Sequence, residues 1–204
     1  MLYLSSDQHY WHSNVIKYCN RPFSSVEEMN EKLITNWNEM VKPDDTVIVV
    51  GDFSLALRPV ETITPRLMGR KILVSGNHDW THDSNKKSRT PEKQKQLIEK
   101  YIECGWSEVI MKMELDLPGI GIVNVSHLPY KGGGDSGYEE RYQSHRLEDD
   151  GKILLCGHVH QVWKHKFTSQ GTLMVNMGCD VWDYRPVSQE ELVRYILSVL
   201  PNKP

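Results

Sequence analysis

"KILVSGNHDW", residues 71–80, runs from an apolar stretch into a glycine, an amide, an imidazole and a carboxylate. The apolar residues predict a buried strand, and the polar residues begin where that strand ends. The same arrangement occurs in four other segments, which are "LYLSSDQH" (2–9), "TVIVVGD" (46–52), "GIVNVSH" (121–127) and "KILLCGHVH" (152–160). Ligand sites of layered α/β folds lie at the carboxyl ends of strands, so the pattern predicts a polar site at such an edge.

Length and composition predict one globular domain over residues 1–204, because 39% of the chain is hydrophobic and 25% is charged. The net charge of −3 disfavours binding to duplex nucleic acid. The four cysteines are far apart, the N-terminus lacks the features of a signal peptide, and no apolar run is long enough for a membrane span. We therefore expect a cytoplasmic protein with no membrane partner, and the oligomeric state stays open.

Helical patterns separate the predicted strands. The clearest helix covers residues 25–41, a second begins at 90 and ends near 105, and a third begins at 188. Several strand segments, including residues 172–178, are apolar at successive positions, which is typical of burial on both faces. The stretch 129–146 is glycine-rich and then charged, so it is either a functional loop or a disordered one.

Residue types that bind metals follow the strands. They are Asp7, His9, Asp52, His127, His158 and His160. In extended backbone, residues two apart point the same way, so each Asp-x-His or His-x-His pair is expected to converge on one centre. Glycines at 51, 76 and 157 are expected to permit a sharp exit from strand to loop. A lone Asp-x-His is more often a solvated turn and Gly-Asp after a strand is common, whereas "GNHD" and "GHVH" are stronger signals. The five together in one order favour a metal site.

The order Asp-x-His, Gly-Asp, Gly-Asn-His-Asp, His and Gly-His-x-His over residues 7–160 resembles the calcineurin-like metallophosphoesterase superfamily. The segments "NRPF", "SHLPY" and "DVWDYRP" are similar to a small bacterial and phage subgroup. The resemblance implies an α/β fold in which two mixed β-sheets pack face to face, in a layered α/β/β/α sandwich flanked by helices. It also implies two divalent metals at the strand ends.

The resemblance assigns the ligands as follows: one metal is held by Asp7, His9, Asp52 and His160, and the other by Asp52, Asn77, His127 and His158. Two such ions, about 4 Å apart, share a hydroxide and clamp the phosphoryl oxygens. Imidazole and oxygen ligands suit Mn, Fe, Zn or Ni, with Mn the first expectation. His78 would stabilise charge and protonate the leaving oxygen.

The second motif, which begins with Gly51 and Asp52, departs from the pattern of one branch of the superfamily. Protein phosphatases of the superfamily have an aspartate where Leu55 stands, and that aspartate orients the catalytic histidine. A phosphoprotein substrate is therefore disfavoured, and Asp79 becomes the first candidate for orienting His78.

Four further residues are candidates for substrate binding, each with a structural alternative. His12 could touch the phosphate or support a ligand, and Arg21 could bind a phosphate oxygen or form a structural ion pair. Arg141 and Arg146 could form a lid over an anionic ligand or lie in a solvated loop.

The function predicted is a dinuclear metal-dependent phosphodiesterase acting on a small, nucleotide-like substrate. Phosphomonoesterase and single-strand nuclease activity stay open as alternatives within the enzyme class. A metal-binding scaffold without activity is the alternative from another class.

Overall fold

A computed structural model describes residues 1–132 and 141–200 of the chain. Its first five-stranded sheet has the order β10-β1-β2-β3-β4. The strands are β1 (Leu2–Ser5), β2 (Thr46–Val49), β3 (Arg70–Val74), β4 (Glu108–Ile110) and β10 (Val187–Ser188). Strands β1 to β4 are parallel, whereas β10 pairs antiparallel with β1. The carboxyl ends of β1, β2 and β3 are therefore adjacent.

The second five-stranded sheet has the order β5-β6-β7-β9-β8. Its strands are β5 (Lys112–Leu117), β6 (Gly121–Ser126), β7 (Leu154–Cys156), β8 (His165–Phe167) and β9 (Leu173–Asn176). The central strands β6, β7 and β9 are parallel, and the two edge strands are antiparallel to their neighbours. Both sheets are thus mixed, as predicted.

Four α-helices separate the parallel strands of the first sheet along the chain, and a fifth follows β10. They are α1 (Ser13–Tyr18), α2 (Val26–Met40), α3 (Leu57–Ile63), α4 (Pro91–Glu103) and α5 (Gln189–Val199). Side chains of Ser25, Thr90 and Ser188 accept a backbone N–H three residues on, which fixes the starts of α2, α4 and α5. No helix in residues 1–132 and 141–200 is long and apolar enough to cross a membrane.

The first sheet buries both of its faces, because its strands are apolar at successive positions. Val47, Val49 and Leu73 pack with residues of the helices, among them Trp37 and Tyr101. The alternate residues of the first sheet, among them Leu4, Ile48, Val50 and Val74, pack against the second sheet and α5. The second sheet contributes Val123, Val125, Leu155 and Val175 to this core. The predicted architecture of two packed sheets with flanking helices is confirmed.

Candidate metal centre

The polar segments meet at one edge of the two sheets. After β1, the Asp7 N–H donates to the Gly51 carbonyl at 3.0 Å and the His9 N–H to the Asp52 carbonyl at 3.1 Å. In the second sheet, the Gly157 N–H donates to the His127 carbonyl at 2.9 Å. These backbone hydrogen bonds hold the loops together in pairs. The side chains that follow the strands are brought together as the sequence predicts.

Backbone conformation at these positions differs from the prediction. Asp7, His9, Asp52, His158 and His160 have φ angles between 48° and 71°, in the left-handed region. Non-glycine residues rarely adopt this region, and such strain is typical of functional sites. The side chains converge because the loops turn at each of these residues, so the expectation of extended backbone was wrong.

The first donor group consists of Asp7, His9 and His160, whose donor atoms lie within 4.8 Å of one another. Asp7 Oδ1 is 3.9 Å from Nε2 of His9 and 4.0 Å from Nε2 of His160. Both ring nitrogens of His9 are buried without a hydrogen-bond partner. Burial lowers the pKa of His9 well below its ordinary value, which favours the neutral form that binds metals.

The second donor group consists of Asp52, His127 and His158, again within 4.8 Å of one another. Nδ1 of His127 donates to the Val50 carbonyl at 2.8 Å, so Nε2 faces Asp52 Oδ2 at 3.2 Å. The same oxygen is 3.6 Å from Nε2 of His9. One carboxylate oxygen therefore faces both donor groups, as a bridging ligand must.

The donor set fits divalent cations. Asn77 Oδ1 and both nitrogens of His9 are buried without hydrogen-bond partners. Leaving such atoms unpaired costs about 1–3 kcal/mol each, and a cation would remove that cost. Mixed nitrogen and oxygen donors suit Mn, Fe, Zn or Ni.

Arg21 has a structural role. Its guanidinium is buried, forms two hydrogen bonds to the Asp180 carboxylate at 2.7 and 2.9 Å, and donates to the carbonyls of Asp7 and Gln8. The prediction that Arg21 contacts substrate phosphate is wrong, because these groups already surround the guanidinium. Its structural alternative, an ion pair, is the one observed.

Asp180 is a site residue that sequence reasoning missed. Its Oδ2 lies 3.1 Å from Nδ1 of His160, on the side of the ring opposite Nε2. A carboxylate in this position fixes the orientation of a metal-binding imidazole. The signal was available: "NRPF" contains Arg21 and "DVWDYRP" contains Asp180, so the two subgroup segments form one contact.

The glycines at the site allow close approach. A Cβ atom on Gly157 would lie 2.1 Å from Ser6 Oγ and 2.4 Å from Asp7 Oδ2. One on Gly76 would lie 2.3 Å from Asp52 Oδ1. Of these glycines and Gly51, only Gly51 has a positive φ, at 86°. Glycine is therefore required at positions 76 and 157 because a carboxylate occupies the space that a Cβ atom would fill. The predicted sharp turn applies, of these three glycines, to Gly51 alone.

His78 lies at the open side of the centre. Its ring is exposed and is centred 5.4 Å from the ring of His9. The His78 N–H donates to Asp52 Oδ1 at 2.9 Å, which leaves Asp52 Oδ2 for the donor groups. The position of His78 is thereby tied to the bridging carboxylate.

Asp79 does not orient His78, so that prediction was wrong. The Asp79 side chain is buried and accepts four backbone N–H groups, those of Asp52, Phe53, Ser54 and Gly76. Burial and the charge of Asp52 raise its pKa to about 7, while the amide donors act in the opposite direction. Asp79 connects the loops after β2 and β3, and with them Asp52 and Asn77.

A groove of about 450 Å³ opens beside the centre. It is lined by His9, His12, Val15, Tyr18, Cys19, His78, Arg141, His158, Val159, His160, Gln161 and Val162. His12 and Arg141 thus lie where substrate could reach them, and their contact with it stays a prediction.

Arg146 is placed differently from Arg141. Its side chain is buried and donates to the carbonyls of Arg141 and Pro129, at 2.9 and 3.1 Å. It stabilises the end of the loop, and its contact with an anionic ligand stays a prediction. The remainder of the expected lid, residues 133–140, lies outside the described residues.

Comparison with known proteins identifies the family. The model of the calcineurin-like phosphoesterase superfamily domain matches residues 2–195. The chain belongs to the calcineurin-like phosphoesterase superfamily. Members of this superfamily are metal-dependent phosphoester hydrolases, and the donor groups described above agree with metal binding.

Relatives within the superfamily come from phages and archaea. The chain is 31% identical over 198 residues to the Gene 66 protein of Mycobacterium phage L5, covering 93% of this chain and 91% of that protein. It is 47% identical over 81 residues to the uncharacterized protein MJ1445 of Methanocaldococcus jannaschii, which covers 38% of this chain and spans only 46% of that relative. The crystal structure of AQ665 from Aquifex aeolicus, a protein of unknown function, has a TM-score of 0.65 and 24% identity, with 96% of this chain and 98% of that chain covered. That likeness shows the fold alone.

Proposed function

We propose that this phosphoesterase is a dinuclear enzyme that hydrolyses a phosphodiester of a small, nucleotide-like molecule. The observation that carries the proposal is the position of Asp52 Oδ2, 3.6 Å from Nε2 of His9 and 3.2 Å from Nε2 of His127. Asp7, His9, Asp52 and His160 would hold one cation. Asp52, Asn77, His127 and His158 would hold the other. Among the suitable cations, Mn is the first expectation.

Bound divalent cations would generate a nucleophile from water and neutralise the charge of the phosphoryl oxygens. The remaining chemistry belongs to side chains of this protein. His78 is exposed to the groove and is held through its backbone by Asp52, so its imidazole can reach the leaving oxygen and donate a proton to it. Asp79 is not the orienter of His78 in this proposal, since its carboxylate is occupied by backbone amides.

The shape of the groove supports the proposed preference for a diester. It continues past the histidines toward Tyr18 and Val162, so a second substituent on the phosphorus has room. Arg141 lines the groove and is proposed to contact an anionic part of the substrate, and His12 is proposed to touch the phosphate. A catalytically inactive scaffold is disfavoured because every proposed ligand position holds a residue that binds metals.

A substrate screen tests the proposal. Bis-p-nitrophenyl phosphate, p-nitrophenyl phosphate and 2′,3′-cyclic nucleotides are incubated with protein loaded with Mn, Ni, Zn or Mg. We expect the diesters to be hydrolysed with the higher kcat/KM, and Asp52→Asn to abolish that activity. A higher kcat/KM for the monoester would favour the phosphatase alternative. Absence of turnover with every cation would contradict the proposed function.

A further inference from the structure

The outer part of the groove is apolar. Tyr18 at the end of α1 is 71% exposed, and Val162 in the loop after β7 is 47% exposed. Buried Val15 and Val159 lie beneath them in the same lining. We call these four residues the apolar shelf. Large apolar side chains exposed beside a catalytic centre are typical of a binding surface.

The shelf is built from two segments that contact each other. The Gln161 side chain donates to the Tyr18 carbonyl at 3.3 Å, which connects the end of α1 to the turn after His160. Val159 and Val162 flank this turn, and the Val162 N–H donates to the Val159 carbonyl at 3.0 Å. The shelf is thus fixed relative to His158 and His160.

The described lining of the groove includes one cation, Arg141, and several histidines. Among these described lining residues there is no carboxylate. Among the lining residues that the structure describes, Gln161 is the one with a side-chain amide, and its amide nitrogen already donates to the Tyr18 carbonyl. Such a lining suits a ligand whose inner end is anionic and whose outer end is flat and apolar. The described lining offers few groups that could form hydrogen bonds to the edge of a nucleobase.

We propose that the apolar shelf holds the flat, non-reacting group of the substrate, a nucleobase or another aryl group, against Tyr18. This inference rests on the proposed phosphodiesterase function and defines its substrate class. The enzyme then prefers aryl over alkyl substituents on the phosphorus and discriminates weakly among bases.

A matched pair of substrates tests the shelf. Bis-p-nitrophenyl phosphate and methyl p-nitrophenyl phosphate release the same leaving group and differ only in the group that stays on the phosphorus. Tyr18→Ala should raise KM for the aryl diester about tenfold, within the range known for a base stacked on an aromatic ring. KM for the methyl diester and kcat for both should not change. Tyr18→Phe, which keeps the aromatic ring, should retain the lower KM for the aryl diester relative to the methyl diester, and Leu197→Ala, a control 50% exposed on α5, should alter neither KM.

Equilibrium binding gives a readout besides turnover. Non-hydrolysable phosphonate analogues of adenosine and cytidine monophosphate, titrated into the metal-loaded protein, should bind with Kd values within about threefold of each other. Tyr18→Ala should weaken both about tenfold.

Hydrolysis of both diesters with KM values that Tyr18→Ala leaves unchanged, or raises equally, would overturn the shelf and leave the proposed function intact. Hydrolysis of neither diester by the unmodified protein would overturn the proposed function and the shelf with it.

Discussion

Replacing Asp79 by asparagine tests the role that the structure gives this carboxylate. Asp79 Oδ2 accepts the N–H groups of Asp52 and Gly76, both at 2.8 Å, and Oδ1 accepts those of Phe53 and Ser54 at 3.0 and 3.4 Å. Asparagine keeps one acceptor oxygen and turns its amide N–H₂ toward two donors, whichever way it is flipped. Two buried N–H groups then lack an acceptor, at about 1–3 kcal/mol each. Asparagine also removes a buried negative charge that Asp52 disfavours, which offsets part of this loss, so the free energy of unfolding should fall by about 1–3 kcal/mol.

Urea unfolding of the metal-free protein at pH 8, followed by circular dichroism, measures the loss. With an m-value of about 3 kcal/mol/M, the midpoint should fall by about 0.3–1 M. Asp116→Asn, which changes an exposed carboxylate on β5, should shift the free energy of unfolding by less than about 0.5 kcal/mol. An Asp79→Asn protein with an unchanged midpoint and a greatly reduced kcat would refute the reasoning and return Asp79 to the role of orienting His78.

Three further predictions concern the site. Asn77→Ala removes one neutral ligand, so excess Mn should partly restore its activity. His78→Ala removes a proton donor, so excess Mn should not restore its activity. If Mn restored the activity of His78→Ala alone, the roles assigned to Asn77 and His78 would have to be exchanged. Gly157→Ala places a Cβ atom 2.4 Å from Asp7 Oδ2, so titration calorimetry should show weaker metal binding. Unchanged metal affinity would show that the loop moves to accommodate the Cβ atom. Asp180→Asn should weaken binding of one cation about 10–100-fold. Glu191→Gln is the control, because it breaks the two hydrogen bonds between Arg185 and Glu191 and should leave metal binding unchanged. Equal losses of metal affinity in the two variants would show that Asp180 has only a structural role.

Much of the fold could be predicted because its central strands are buried on both faces and therefore apolar throughout. Strand β5 was missed because it lies at a sheet edge, where residues such as Lys112 and Glu114 are exposed. The two-residue strand β10 was missed because such a short segment has no periodicity to detect.

The metal-binding residue types were predictable because each follows a strand whose end is visible in the sequence. The roles of Arg21, Asp79 and Arg146 were not, because each depends on which backbone groups surround the side chain. Arg21 faces carbonyls and Asp180, and Asp79 faces amides. A sequence shows a charged residue beside a motif but not the carbonyl or amide, far along the chain, that it contacts. Asp180 was overlooked for the same reason, since it lies 20 residues beyond His160.

The central claim is that Asp52 joins two cation sites into one centre. Its most direct test is the metal content of purified, Mn-loaded protein by plasma mass spectrometry, compared with that of Asp52→Asn, whose folding is checked by circular dichroism. We predict about two ions per chain in the unmodified protein and a large loss of both in the variant. One ion per chain in the unmodified protein, or two retained by a folded Asp52→Asn variant, would contradict the claim.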